Sequence, residues 1–169
     1  ESIRRGGALV HEVAGHSRPL LADGRVVYSR GGTIEDVFTV RPEGIELSYA
    51  FAEPLRGKGD LVVRGRVNSE LLAAPVEVSD GGLFYSLDGI GGVRVGGVTG
   101  IDATGAAVAG HLRWDGEYLE LVLPGDFVDE AVYPLILDPL VGTSVNAGSA
   151  GNNDFDSDVA YDSASDPYL

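Results

Sequence analysis

The sequence predicts an all-β protein, an antiparallel β-sandwich of about ten short strands with no substantial helix. Three observations carry that expectation. Apolar and polar residues alternate with a period of two through most of the chain, as half-buried strands require, because successive side chains point to opposite faces. Turn signals recur every ~8–12 residues. No window of useful length shows the 3.6-residue apolar rhythm of a surface helix.

The clearest strands are four. In Gly44–Phe51, Ile45, Leu47, Tyr49 and Phe51 share one face against Glu46, Ser48 and Ala50. In Asp60–Asn68, Leu61, Val63 and Val67 oppose Val62, Arg64, Arg66 and Asn68. In Glu117–Leu123, Leu119, Leu121 and Leu123 oppose Tyr118, Glu120 and Val122. In Ala131–Asp138, Tyr133, Leu135 and Leu137 oppose Val132, Pro134 and Ile136. Weaker alternation marks Ala8–Val13, Arg25–Ser29, Glu35–Val40, Leu83–Leu87, Val93–Val95, Val98–Asp102 and Ala107–Trp114. Asp126–Ala131 has room for one helical turn at most. The prolines of Tyr133-Pro134 and Asp138-Pro139 mark a strand start, an edge or a bulge, since proline cannot donate to a ladder.

The turns agree. Gly (25) and Pro (8) are abundant among the 169 residues. Asp-Gly occurs at Asp23-Gly24, Asp80-Gly81, Asp88-Gly89 and Asp115-Gly116. That dipeptide suits the positive-φ centre of a two-residue hairpin. Asp115-Gly116 is the best case, with alternating strands on both sides, and Asp102–Gly105 reads as a slightly longer hairpin loop.

The composition changes after Leu140. Gly142–Asp158 is Gly, Ser, Asn and Asp with little apolar content, which is linker chemistry. Residues 1–141 are therefore expected to form the sandwich. Residues 142–169 are expected to be an acidic linker and the start of a strand region around Val159–Tyr161 and Tyr168-Leu169. The chain opens on Glu1 and stops where a strand is expected to begin, so it reads as a piece of something longer.

Twelve basic and 26 acidic residues give a net charge of −14 and a pI near 4.4. Such a surface repels phosphate backbones and anionic lipid, which argues against nucleic acid and membrane-surface partners. No run approaches the ~18 apolar residues of a membrane span. With no Cys, disulfides, thiolate metal sites and cysteine nucleophiles are excluded. The charge is uneven: residues 1–34 carry five Arg against Glu1, Glu12 and Asp23, whereas Gly142 onward carries five Asp and no base.

The strongest chemical signal is Asn152-Asn153-Asp154-Phe155-Asp156-Ser157-Asp158. Alternating oxygen ligands at Asn152, Asp154, Asp156 and Asp158, with Asp162 beyond, match the first half of a calcium loop, and Ca²⁺ takes six to eight hard oxygens. The frame then fails, because Val159 stands where the loop needs Gly and Ser165 where it needs a bidentate Glu. A solvated acidic linker explains the same residues. Calcium is the one cofactor the sequence suggests.

Other candidates fall to plainer explanations. His11 and His16 are five apart, not the four that would place both on one helical face for zinc. Gly89–Gly92 and Gly96-Gly97 have no following helix to complete a phosphate cradle, so turns account for them. Lys58-Gly59-Asp60 sits in a turn, with Lys58 exposed. Trp114 could stack on a sugar, but a lone Trp beside a hairpin more often fills a core edge. His111 has no nucleophile partner, and no Gly-x-Ser-x-Gly elbow exists. No catalytic residue is assigned.

Val98–Gly105, Leu119–Pro124 and the ending Tyr133-Pro134-Leu135-Ile136-Leu137-Asp138-Pro139-Leu140, with Gly59–Arg64 earlier, resemble a β-sandwich-like module of large secreted bacterial proteins, found upstream of propeller-like (FG-GAP-type) repeats. The resemblance covers about residues 30–169, and Asp158–Asp162 with Tyr168-Leu169 looks like the first strands of such repeats. It implies an extracellular or cell-surface setting and no catalytic residues.

The expectation is a non-enzymatic structural or assembly module of a larger secreted or cell-surface protein, whose partners are other copies of itself or adjacent domains. Two alternatives stand beside it. One is a calcium-dependent or carbohydrate-binding adhesion module. The other is a fibre-forming subunit that adds its strand Ser157–Asp162 to a neighbour's sheet edge. An enzyme fragment would need two carboxylates ~5–9 Å apart in a cleft.

Overall fold

The computed structural model describes residues 1–12, 17–41, 44–71, 76–77, 81–87 and 91–144. Along the chain, β1 (Ser2–Arg5) and β2 (Ala8–Glu12) form a hairpin. β3 (Leu20–Ala22), β4 (Arg25–Ser29), β5 (Ile34–Arg41) and β6 (Gly44–Phe51) form a meander. Then come β7 (Leu61–Arg66), β8 (Val76–Glu77), β9 (Leu83–Leu87), β10 (Gly91–Ile101), β11 (Ala107–Ala109), β12 (His111–Trp114) and β13 (Tyr118–Leu123). The helix α1 (Gly125–Glu130) and β14 (Leu135–Ser144) complete the order.

The strands pair antiparallel into two sheets. One has five strands, in the order β12-β13-β7-β1-β2; the other has nine, in the order β3-β4-β5-β6-β14-β10-β9-β8, with β11 beside β10. The all-β, two-sheet expectation holds. The strand count is fourteen rather than about ten: β1, β3 and β8 are too short for alternation to register, the expected strand Ala107–Trp114 is broken at Gly110 into β11 and β12, and the separately expected Val93–Val95 and Val98–Asp102 are one strand, β10.

The two-residue rhythm becomes the core directly. Ile3, Leu61, Val63, Leu121 and Leu123 of the five-stranded sheet meet Ile34, Tyr49, Phe51, Val98, Leu135 and Leu137 of the nine-stranded sheet, and Val128 of α1 closes one end. Phe51, Leu61, Leu123, Leu135 and Leu137 have no exposed surface. Burying each such side chain stabilises the fold by ~1.5–3 kcal/mol. A second cluster, Leu83, Tyr85 and Val95, packs against Leu112, Trp114 and Leu119.

β10 serves both clusters. Val95 pairs with Val141 and Val98 with Pro139, so Gly96 and Gly97 together stand against Leu140 alone. This β-bulge also explains how Pro139 is tolerated in a central strand.

Tight turns hold the hairpins. Asp23 and Gly24 both take positive φ (50° and 72°) between β3 and β4, the backbone of a two-residue type I′ turn. At the other end, a Cβ on Gly125 would lie 2.5 Å from the Gly59 carbonyl carbon. The start of α1 therefore rests on the loop before β7, where the Gly125 N–H donates to Asp60 Oδ1 at 3.0 Å.

β14 begins at Leu135, later than alternation suggests. After α1 the chain is tied to the β10–β11 loop instead: Val132 N donates to Asp102 Oδ2 at 3.1 Å, and Ala103 N donates to the Val132 carbonyl at 2.8 Å. The Tyr133-Pro134 bond is cis. β14 runs past the change of composition after Leu140 and ends at Ser144.

Candidate functional site

Among the described residues, charged groups gather most densely in three places, besides the Arg41–Glu46 pair that joins β5 to β6. The outer face of the five-stranded sheet carries the broadest. Register sets Arg113, Glu120 and Arg64 side by side on β12, β13 and β7. The Arg64 Nε lies 3.2 Å from Glu120 and the Arg113 Nη1 3.9 Å from it. Arg64 also binds Asp115 at 2.6 Å and stacks over the Tyr118 ring, 3.9 Å from its centroid. Arg66 pairs with Glu117 at 3.0 Å. Beside this ladder lies an open depression of about 470 Å³, lined by Arg4, Asp60, Val62, Arg64, Arg113 and Glu120 among others. Arg4 donates to the Gly7 carbonyl at 3.2 Å.

Each acid in this ladder neutralises a guanidinium, so the face is close to charge-balanced on a strongly acidic chain. Hydrogen bonds from the Tyr118 and Glu117 N–H groups, then from Arg64, hold the Asp115 carboxyl below its usual range. His111 Nε2 accepts from Arg113 Nε at 3.1 Å, which orients the imidazole toward a cation and not toward a nucleophile.

The second cluster is inside. Alternation along β5 turns Ile34, Asp36 and Phe38 inward, and Asp36 meets Tyr49 across the pair with β6. The Arg30 guanidinium binds Asp36 Oδ2 through Nε at 2.6 Å and through Nη2. Glu1 lies 3.8 Å from Arg30. Burial, then the Asp36 charge, pushes the Glu1 carboxyl up, against the pull of Arg30. Burial, then the Glu1 and Asp36 charges, pushes the Tyr49 phenol well up. Two carboxylates and a phenol thus gather around one guanidinium.

The third caps the core. Arg5, on the inward face of β1, ion-pairs with Asp129 of α1, and Lys58 binds the other Asp129 oxygen at 3.0 Å. The Lys58 hydrogen bond leads the effects that hold Asp129 below its ordinary range. Lys58 is exposed, as its Gly-flanked position suggests, but it is engaged.

The structure thus holds convergent polar groups that the strand pattern does not announce. The signals were present in phase: Ile3 and Arg5 alternate inward, as do Ile34 and Asp36. An inward charged residue breaks an apolar count, and only the fold reveals its partner.

The calcium candidates Asn152, Asp154, Asp156, Asp158 and Asp162 all lie outside the described residues, as does His16. His11 sits on β2, at the edge of the five-stranded sheet. Among the described residues no group of three or more His, Asp or Glu is placed to hold a metal ion. Trp114 meets Tyr85 edge-on, with ring centroids 5.6 Å apart and planes at 90°, which places it in the second core cluster. Gly96 and Gly97 form the bulge of β10. No helix among the described residues is long and apolar enough to cross a membrane.

Among the described residues these sites organise charge and packing. No protein-family model, curated protein or solved structure matches the chain, so its functional reading rests on its own residues and geometry.

Proposed function

We propose that the chain is a non-enzymatic structural or assembly module of a larger secreted or cell-surface protein. One observation carries this: where the two sheets overlap, their inward faces are spent on packing, and the three charged clusters are built from groups that pair with one another. The resemblance of Val98–Gly105 and Tyr133–Leu140 to modules upstream of propeller-like repeats supports the same reading, including its extracellular setting. Partners are then adjacent domains or further copies.

The test is removal of residues 1–141 from the parent polypeptide. Surface labelling of the downstream part is expected to fall severalfold, while charge-neutral substitutions on the outer ladder leave it unchanged. A parent that remains inside the cell, or a purified chain that turns over a substrate, defeats the proposal.

A second reading, calcium binding at Asn152, Asp154, Asp156, Asp158 and Asp162, is favoured by their alternating oxygen spacing. Millimolar Ca²⁺ is expected to raise the melting temperature by linkage if the site is real. An unmoved transition removes it.

A further inference from the structure

The nine-stranded sheet is wider than the sheet that covers it, and the surplus is apolar. Residues directly opposite on paired strands share a face. Leu21, Val26, Phe38 and Leu47 are such a row across β3, β4, β5 and β6, and Val40 lies opposite Ile45. Leu47 packs against the main core, which fixes this as the inward face. Cover is lost along it. On β6, Phe51 is 0% exposed, Tyr49 6% and Ile45 49%; on β5, Ile34 is 5% exposed, Asp36 2% and Val40 80%; Leu21 on β3 is 81% exposed. The sandwich interior thus continues as an open apolar shelf over one end of β3–β6. A contiguous patch of this kind marks a surface that something covers.

We propose that the shelf is covered by this chain's own segment Asp154–Asp162. Two features select that occupant. The segment alternates: Phe155, Ser157, Val159 and Tyr161 fall on one side, and Asp154, Asp156, Asp158, Ala160 and Asp162 on the other. One side matches an apolar shelf and the other matches solvent. The chain also departs at the right place. β14 pairs Val141 with Ile45 and Gly142 with Gly44, so Ser144 leaves the sheet at the shelf's own end. Crossing from β14 to β3 takes four strand spacings, ~19 Å. Residues 145–154 reach up to ~33–36 Å when extended.

The acidic alternation that suggests calcium is, on this assignment, the wet side of a covering strand. The inference goes beyond the structural role proposed above and does not require a parent protein or a second copy.

Because the full chain contains no cysteine, paired cysteines report this contact without background. Val40→Cys is combined in turn with Cys at 155, 157, 159 and 161, and at 156 and 158, in the full-length protein under mild oxidation. The expected result is an intramolecular disulfide at the odd positions, on the order of tenfold more than at the even ones, since bridging fails once Cα atoms exceed ~7 Å. Leu9→Cys, on the outer face of the other sheet, should not link to any of them. No linkage, equal linkage at odd and even positions, or linkage to Leu9→Cys overturns the assignment. Disulfides only between chains assign the shelf to a second copy and equally overturn it. In parallel, Val159→Asp in the full chain should raise binding of an apolar-surface dye severalfold; an unchanged signal counts against the cover.

Discussion

Arg30 closes over Asp36: its Nε donates to Oδ2 at 2.6 Å, and the carboxylate it covers has a side chain only 2% exposed. The pair sits where the core gives way to the open shelf of β5 and β6. Breaking a buried pair by removing one partner costs far more than replacing both. Arg30→Ala is therefore expected to destabilise the fold by ~3–5 kcal/mol, whereas Arg30→Met combined with Asp36→Leu should return to within ~1 kcal/mol of the wild type. Urea unfolding of the three proteins decides it. A small loss in the single variant would mean that Asp36 is not held by Arg30.

The contact of Gly125 with Gly59 predicts a backbone clash, not a loss of flexibility. A Cβ at Gly125 meets three atoms of Gly59 within 2.8 Å. Gly125→Ala should cost ~1–3 kcal/mol through forced displacement of the α1 start. Gly65→Ala on β7, where a Cβ meets nothing within 4 Å, should be neutral or mildly stabilising. Equal effects at the two positions would show that chain entropy, and not the junction, sets the cost.

Asp102 links folding to acid. Its Oδ1 accepts from the Thr104 hydroxyl at 2.6 Å and from the Thr104 and Ala106 N–H groups at 2.8 and 3.0 Å. The Thr104 hydroxyl, then the Val132 N–H, hold its carboxyl below the ordinary aspartate value of 3.8. A carboxyl lowered on folding contributes stability above its unfolded value and loses it as pH falls through the folded one. Asp102→Asn should lower the urea midpoint at neutral pH and flatten the fall in stability below about pH 4. If the variant and the wild type lose stability in parallel with acid, Asp102 is not the group responsible.

Tyr85 carries a hydroxyl buried without a partner among the described residues, and burial pushes its pKa up to about 12. Removing a polar atom that has no partner relieves its desolvation cost. Tyr85→Phe should be neutral or stabilising by up to ~1 kcal/mol, with the edge-on contact to Trp114 retained. A clear destabilisation would show that the hydroxyl is bonded in solution.

Much of the architecture is legible in the chain. Arg25–Ser29, Gly44–Phe51 and Leu83–Leu87 are strands with the bounds that alternation gives, because a strand with one inward face must repeat every two residues. The single helical turn expected near Asp126 is α1. What escaped is short or non-local. β1 and β3 offer too few residues for a pattern, although Gly6-Gly7 marks the turn that follows β1. Strand order depends on distant pairing, such as β1 beside β7, which no local rhythm encodes. The charged clusters were hidden for the same reason: Arg5 and Asp129 are 124 residues apart, and neither is unusual alone.

The doubled glycine of β10 lets that strand carry one residue more than its partner without losing phase. Val95 and Val98 are three residues apart, an odd number, yet both are buried, at 7% and 3% exposure; only the extra residue at Gly96-Gly97 lets both face inward. Deleting one of the two glycines would remove the bulge without turning the strand over, because Val95 and Val98 would then stand two apart against Val141 and Pro139, and Gly100, which leaves room for Leu123, would keep its inward side. The phase of the strand is thus held by its register with β14, and the spare glycine is a residue that the ladder absorbs with no side chain to place.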